Sequence, residues 1–241
     1  FNTRNRHKTE FMFVDAIITE FGCGLEVSGM EHIPTSGGFI VAANHPLGGL
    51  DGMALVKTVG HKRSDIRFIV NDILLRLENL KGIFTGVNKH GKNTPEVYTT
   101  LDSIYGSGMG MLIFPAGLVS RKQKGKIKDL EWKKSFVTKS RQFQLPVIPA
   151  YIEGKNSAFF YNLSKIRTFL GIKLNIEMLF LADEMYRQRG KTIRITFGKP
   201  IPHTMFESTY TDKEWASLMR EHIYLLDTED PYSVFRKPSE L

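Results

Sequence analysis

The sequence contains little cysteine and no long apolar run. Cys23 is the only cysteine in 241 residues, which excludes an internal disulfide framework and a cysteine-rich zinc module and favours a reducing compartment. No stretch of 18 or more apolar residues occurs, so no segment is predicted to cross a bilayer as a helix. Repeats, low-complexity tracts and Pro/Ser-rich linkers are also absent, which predicts one domain over residues 1–241. Because the chain begins with Phe1 rather than methionine, a removed signal or anchor stays an open alternative.

Acidic residues are fewer than basic ones. Asp and Glu total 25 and Lys and Arg total 33, which gives a formal net charge of +8. The excess favours an acidic partner: nucleic acid, an anionic membrane surface or an acidic protein, with solubility alone as the other interpretation. Nucleic-acid binding is not predicted, because no RNP, helix-turn-helix or zinc-finger motif occurs. A hydrophobic share of 41% and a charged share of 24% exclude a disordered chain, a collagen and a coiled-coil rod.

Short apolar segments alternate with helical segments. Segments rich in apolar or β-branched residues, often closed by Gly, Pro or Asn, predict strands over 37–44, 65–70, 82–87, 110–115, 146–152 and 192–198. Helices are predicted over 53–59, 95–105, 131–143, 177–189 and 211–226. The alternation predicts an α/β fold with a mixed, mostly parallel central sheet flanked by helices. In such a sheet the functional site lies beyond the carboxyl ends of the strands.

The N-terminal segment 1–24 is predicted to contain an amphipathic helix. Apolar residues recur at helical spacing from Phe11 to Phe21, and Gly22 ends the pattern. The helix has two interpretations, packing on the core or lying on a membrane. A catalytic core over 25–200 and a C-terminal helical segment over 201–241 complete the predicted domain.

The loop after the first predicted strand carries candidate catalytic residues. The strand ends at Asn44, His45 follows directly, and Gly48 and Gly49 allow the tight turn that would return Asp51 to the imidazole. A carboxylate that accepts from one ring nitrogen orients the histidine as a general base. In the alternative, Asp51 caps the following helix and His45 is a polar loop residue. No metal is predicted, because no second histidine or carboxylate stands nearby at ligand spacing.

This loop resembles the first motif of the glycerolipid acyltransferase superfamily, which includes the lysophosphatidic acid acyltransferases. That motif is NHxxxxD at the end of a strand, and here five residues rather than four separate His45 from Asp51. The form NHPLGGLDG is similar to the branch of ornithine-lipid and glycine-lipid O-acyltransferases and hemolysin-like proteins. The resemblance implies that His45 deprotonates an acceptor hydroxyl, which attacks an acyl thioester without an acyl-enzyme intermediate, while Asp51 orients His45.

The family's third block, F-P-E-G-T-R-S, is similar to residues 114–120. Ala116 and Val119 replace the Glu and Arg that help hold an acceptor phosphate, and Arg121 is predicted to compensate by binding an acceptor carboxylate or phosphate, or else to be a solvated charge. The N–H groups of Gly117 and Leu118 are candidate oxyanion donors, unless Gly117 serves only the turn. The resemblance implies substrate binding by Asn44, Gly86, Asn88, Lys89, Phe114, Pro115, Gly117, Ser120 and Arg121.

Other stretches extend the resemblance over roughly residues 25–200. Asn88 or Lys89, in the second block, stands where an arginine is usual. Asp129 and Trp132 match a D-x-x-W pattern, and 154–161 is similar to the G-x-N-S-x-x-F-Y stretch of the lipoamino-acid branch. Residues 86–93 nearly form a phosphate-binding loop, but Asn93 lacks the hydroxyl that ligates magnesium, and no G-x-S-x-G hydrolase motif occurs.

These observations predict an O-acyltransferase that needs no cofactor and uses an acyl carrier protein or coenzyme A thioester as its co-substrate. The favoured acceptor is a lyso-ornithine or lyso-glycine lipid; the alternatives are lysophosphatidic acid and a non-catalytic lipid- or carrier-binding module. The basic stretch 121–128 is interpreted as a solvated loop or as a contact for anionic lipid or acyl carrier protein. The expected location is peripheral, on the cytoplasmic face of the inner membrane. The rate is expected to fall on the acid side, because a protonated imidazole cannot accept a proton.

Overall fold

A seven-stranded sheet runs through the computed structural model, which describes residues 5, 7–87 and 94–235. Its strands are β1 (Gly24–Ser28), β2 (Phe39–Ala43), β3 (Ile66–Asn71), β4 (Phe84–Val87), β5 (Gly110–Ile113), β8 (Val147–Ile152) and β9 (Thr192–Phe197). The spatial order is β1-β9-β8-β2-β5-β3-β4, and every neighbouring pair is parallel except β8 with β9. A separate antiparallel hairpin joins β6 (Arg121–Gln123) to β7 (Lys126–Lys128). The predicted mixed, mostly parallel sheet is therefore confirmed.

Helices cover both faces of this sheet. They are α1 (Glu10–Phe21), α2 (Gly49–Lys62), α3 (Pro95–Gly106), α4 (Ser135–Phe143), α5 (Ala158–Phe169), α6 (Leu181–Tyr186) and α7 (Asp212–Ile223). Successive side chains of a strand point to opposite faces. In β2, Val41 accordingly joins the apolar cluster beneath α1 and α2, and Ile40 joins the cluster beneath α4 and α7. Because both faces are covered, β2 is buried along its whole length, as its continuous apolar sequence predicts.

The six predicted strands all occur, but one strand of the sheet and the separate hairpin were not predicted. Strand β1 is a mostly exposed edge strand with little apolar sequence, and the β6–β7 hairpin lies in the basic stretch expected to be a loop. The helix predicted over 177–189 is instead a 3-10 helix, Ile176–Phe180, followed by the short α6. Helix α5 was not predicted, because its apolar residues lie on two sides and blur the helical period.

Helix α1 packs on the core. Phe13, Val14 and Ile18 are buried in the cluster that contains α2, while Met12 on the other side is exposed. The structure supports the first interpretation of this helix, in which it packs on the core. In the part of the chain that the structure describes, no helix is both long enough and apolar enough to span a bilayer.

Candidate active site

A tight loop joins β2 to α2 at the carboxyl end of the central strand. Gly48 has φ +78° and ψ −127°, a conformation that only glycine adopts readily, and α2 begins at Gly49. This turn brings the Asp51 carboxylate back to the imidazole of His45, whose Nδ1 lies 3.0 and 3.1 Å from the two carboxylate oxygens. The structure therefore brings together the two residues predicted to be catalytic.

The Asp51 carboxylate is fully buried and held from several directions. Its oxygens accept the backbone N–H of Leu47 at 2.7 Å and of Gly52 at 2.8 Å, in addition to the imidazole. Asp51 thus lies inside the first turn of α2 rather than capping the helix from outside. These contacts fix the orientation of the carboxylate.

The His45 ring is fixed by Asp51 on one edge and by Phe114 on one face. The imidazole stacks on the Phe114 ring with centroids 4.1 Å apart and an interplanar angle of 20°. Because Asp51 accepts at Nδ1, the other nitrogen, Nε2, carries the free lone pair of the neutral ring. No described residue hydrogen-bonds Nε2, and the side chain remains 17% exposed. A proton acceptor is therefore held in one orientation at the protein surface.

A second buried carboxylate, Asp129, joins this loop to the loop after β5. One oxygen accepts the backbone N–H of His45 at 3.1 Å and the hydroxyl of Ser120 at 2.5 Å; the other accepts the indole N–H of Trp132 at 2.8 Å. The Asp129 N–H donates to the Tyr224 hydroxyl at 2.8 Å. Burial raises the pKa of the Asp129 carboxyl, and the hydrogen bonds from Ser120, Trp132 and His45 act to lower it.

Asn44 and Asn156 brace the loop from the side of β8. The Asn44 amide donates to the Ile152 carbonyl at 2.8 Å and accepts the Ile152 N–H at 2.7 Å. Asn156 donates to the Pro46 carbonyl at 3.2 Å. Asn44 is therefore buried and bonded to backbone, which gives it a bracing position rather than a position facing solvent.

The loop after β5 contains the residues that match the third block. Phe114 contacts His45, Pro115 is buried, and Ser120 bonds both Asp129 and, through its N–H at 2.7 Å, the His45 carbonyl. Gly117 has φ +64°, and its N–H donates to the Phe114 carbonyl at 2.9 Å. That N–H closes a turn and is not free for an oxyanion. Among the described residues, Leu118 N–H has no acceptor and remains the candidate donor.

Arg121 is bound within the protein. Its guanidinium donates to the fully buried Glu177 at 2.8 Å and lies 5.0 Å from the centre of the Phe160 ring. Arg167 reaches the other Glu177 oxygen at 2.9 Å. Burial acts to raise the pKa of the Glu177 carboxyl, but its backbone hydrogen bond and the two arginines hold that pKa below its ordinary value. The structure therefore does not present Arg121 to the dyad as a free cation.

The other predicted site residues lie at the edge of the sheet or beyond what is described. Gly86 is in β4 opposite Val70 of β3, and Asn88 and Lys89 lie outside the described residues. In the basic stretch, Lys122 and Lys126 are exposed, while Lys128 pairs with Glu221 at 2.7 Å.

Three residues that organise this region were not predicted as site residues. The D-x-x-W pattern pointed to Asp129, but nothing in the sequence indicated that its carboxylate reaches His45. Glu177 and Tyr224 come from distant segments, 56 residues from Arg121 and 95 residues from Asp129. Their partners follow from the packing of α5, the 3-10 helix 176–180 and α7.

The arrangement is a histidine oriented by a buried carboxylate at the carboxyl end of a mostly parallel α/β sheet. Residues 6–230 match the acyltransferase family, and the chain belongs to that family. It is an enzyme that transfers acyl groups.

Curated relatives give the comparison more detail. The chain is 42% identical over 223 residues to a lyso-glycine lipid O-acyltransferase of Phocaeicola vulgatus, covering 92% of this chain and 80% of that protein. It is 41% identical over 227 residues to the protein of the same name from Bacteroides thetaiotaomicron, covering 94% and 84%. The crystal structure of the 1-acyl-sn-glycerophosphate acyltransferase PlsC from Thermotoga maritima is similar in fold, with a TM-score of 0.50 at 19% identity, over 90% of this chain and 80% of that one.

Proposed function

We propose that this enzyme transfers a fatty acyl group from a thioester to the hydroxyl of a lyso-glycine lipid, with His45 as the general base. The observation that carries the proposal is the imidazole held by Asp51 at 3.0 Å, with Nε2 unpaired among the described residues. A base oriented in this way has no use in a module that only binds lipid. This argues against the non-catalytic alternative.

The reaction follows from the roles of the two nitrogens. Nε2 of His45 takes the proton of the acceptor hydroxyl as its oxygen attacks the thioester carbonyl carbon. The tetrahedral intermediate collapses, the carbon–sulfur bond breaks, and the imidazolium returns the proton to the leaving thiolate. Asp51 stabilises the imidazolium while it exists, as a buried carboxylate does for a neighbouring histidine. The backbone N–H of Leu118 is the proposed donor to the oxyanion.

Three observations favour an acceptor without a phosphate. Ala116 and Val119, which stand where phosphate-binding relatives have charged or polar side chains, are buried in apolar surroundings. Arg121 is paired with Glu177 and does not replace them. Both curated relatives are named for a lyso-glycine lipid. Lysophosphatidic acid is therefore the second candidate, and lyso-ornithine lipid shares the features of the first.

The donor is proposed to be acyl carrier protein or coenzyme A carrying the acyl thioester. A lipid acceptor also requires contact with a membrane, and we place the enzyme peripherally on the cytoplasmic face of the inner membrane. The net charge of +8 supports contact with either an acidic carrier or an anionic bilayer.

A direct test gives the purified protein both thioesters with lyso-glycine lipid, lyso-ornithine lipid or lysophosphatidic acid in separate reactions. We expect product with the amino-acid lipids, and with His45→Ala a rate lower by about 10²–10⁴-fold. Product with lysophosphatidic acid alone would reject the proposed acceptor. Acceptor binding with no turnover in any reaction would favour the non-catalytic module.

A further inference from the structure

The segment between β8 and β9 exposes a group of large apolar side chains. We call this group the outer apolar face and define it as Phe159, Ile166, Phe169, Leu170, Ile172, Leu174, Leu179 and Phe180. Phe169 is 89% exposed, Leu179 79% and Leu174 72%. Phe159 contacts Phe180 at 5.0 Å between ring centroids, which joins α5 to the 3-10 helix. Single exposed apolar residues are ordinary, whereas a contiguous group marks an interaction surface.

Helix α5 has two apolar sides and needs only one of them to fold. Phe160 and Tyr161 are buried against Val119. Phe159, Ile166 and Leu170 recur at spacings of seven and four residues on the exposed side. The inner side attaches the helix to the core, whereas on the outer side Phe159 contacts Phe180 and Ile166, Phe169 and Leu170 remain more than half exposed.

Exposed basic residues lie beside this face, and the exposed Asp183 lies next to Phe159 and Phe180. Lys165 and Lys173 are exposed within residues 158–180. Glu177, the one acidic residue of that range, is fully buried between Arg121 and Arg167. An apolar face bordered by lysines complements an anionic lipid bilayer.

The segment that carries the outer apolar face also contacts the catalytic loop, residues 44–51. Leu181 and Met185 of α6 lie against the loop, so that a Cβ on Gly48 would meet Leu181 at 3.2 Å and one on Gly49 would meet Met185 at 3.2 Å. The Arg121–Glu177 pair ties the 3-10 helix to the strand that follows the third block. The outer apolar face and the loop that holds His45 and Asp51 are therefore adjacent in the structure.

We propose that the outer apolar face is the surface by which the protein docks on an anionic bilayer. Its apolar side chains enter the acyl region, while Lys165 and Lys173 meet the headgroups. This inference rests on the proposed function, because a lyso-lipid acceptor resides in a bilayer. Helix α1 does not provide this surface, since Phe13, Val14 and Ile18 are buried in the core.

Flotation of the full chain with vesicles tests the assignment. The probe is vesicles of phosphatidylglycerol and phosphatidylcholine, with phosphatidylcholine alone for comparison. We expect F169S/L174S/L179S to bind the mixed vesicles at least ten-fold more weakly than the unmodified protein. The matched control M12S/Y98S removes exposed apolar residues elsewhere, at 63% and 51% exposure, and should bind as the unmodified protein does. Equal binding by the triple variant would overturn the proposal. A change in its oligomeric state together with unchanged flotation would also overturn it, and would assign the face to contact between copies of the chain.

A charge-reversal pair provides a second test that does not depend on how the apolar variant folds. K165E/K173E should lose at least ten-fold in binding to mixed vesicles, and K122E/K126E, the same charge change on the β6–β7 hairpin, should lose less than three-fold. An equal loss in both variants would overturn the assignment to the outer apolar face.

Turnover separates this inference from the proposed function. The triple variant should acylate a short-chain lyso-glycine lipid in detergent micelles within two-fold of the unmodified rate, and lose at least ten-fold with acceptor in vesicles. Unmodified protein that acylates in micelles but does not float would overturn the docking surface alone. Unmodified protein that floats but never acylates would support the docking surface and reject the proposed function.

Discussion

The catalytic loop and the outer apolar face are neighbours with opposite construction. In the loop, Asp51 and Asp129 are buried carboxylates whose oxygens have named donors. On the outer face, side chains such as Phe169 and Leu179 are apolar and exposed. Buried charge is tolerated only when it is paired, and exposed apolar area gives no stability until something covers it. The loop is thus completed by folding, whereas the outer apolar face is left exposed in the part of the chain that the structure describes.

The largest expected effect is on turnover and comes from the loop. His45→Ala should lower kcat by about 10²–10⁴-fold, because it removes the proposed proton acceptor. Steady-state kinetics with lyso-glycine lipid would measure this. His61→Ala, at the other end of α2, is the matched control and should retain full activity. A His45→Ala enzyme with more than a third of the normal rate would contradict the role of the dyad.

Asp129→Asn should lower the unfolding free energy strongly, because Asp129 links the loop that contains His45 to the loop that contains Ser120. The amide has one acceptor oxygen in place of two and turns N–H groups toward the donors of Trp132 or His45, so we expect a loss of roughly 3–5 kcal/mol in unfolding free energy. Urea unfolding measures this. Asp227→Asn, an exposed control, should change it by less than about 0.5 kcal/mol.

Substitutions of two phenylalanines of α5 compare how much the inner and outer sides of this helix contribute to stability. Phe160→Ala removes a fully buried ring and should destabilise the fold by about 3–5 kcal/mol, while Phe169→Ala should change stability by less than about 0.5 kcal/mol. Thermal or urea unfolding distinguishes the two. Similar losses at both positions would mean that Phe169 is covered by the protein itself.

The turn at Gly48 should be sensitive to a single methyl group. Gly48→Ala imposes strain at φ +78° and brings a Cβ within 3.2 Å of Leu181, so we expect a loss of roughly 2–3 kcal/mol together with reduced kcat. Gly37→Ala is the control, since Gly37 has φ +76° but no atom within 4 Å of its added Cβ. It should lose about 1 kcal/mol and keep its kcat.

The smallest expected effect is a pH dependence of stability that comes from His222, in the last turn of α7. Burial lowers the pKa of His222, whose Nδ1 donates to the Pro231 carbonyl at 2.5 Å. The unfolded chain therefore binds a proton below about pH 6.5 that the folded chain excludes, and this contribution to stability falls as the pH falls. His222→Gln should flatten the decline in unfolding free energy between about pH 6.5 and 5, measured by urea unfolding. An unchanged dependence of the unfolding free energy on pH would contradict this role of His222.

Local patterns predicted much of the sheet and the first part of the site. Strand β2 and the loop from Asn44 to Asp51 are continuous in sequence, so a buried strand followed by a glycine turn was enough to expect a histidine beside a carboxylate. The surroundings of Arg121 could not be predicted in the same way, because they depend on Glu177, which lies 56 residues further along the chain. Whether an arginine is a solvated charge, a ligand contact or a buried partner depends on residues that are far away in the chain.

What the sequence determined by itself was the alternation of strands and helices, the resemblance to acyltransferases, and the short loop that holds His45 and Asp51, since each depends on residues close together in the chain. Tertiary structure alone decided that α1 packs on the core, that Asp129 bridges two loops, and that one side of α5 stays exposed. Apolar periodicity indicates that a helix has a face to cover, and only the packing of the whole chain decides which faces are covered.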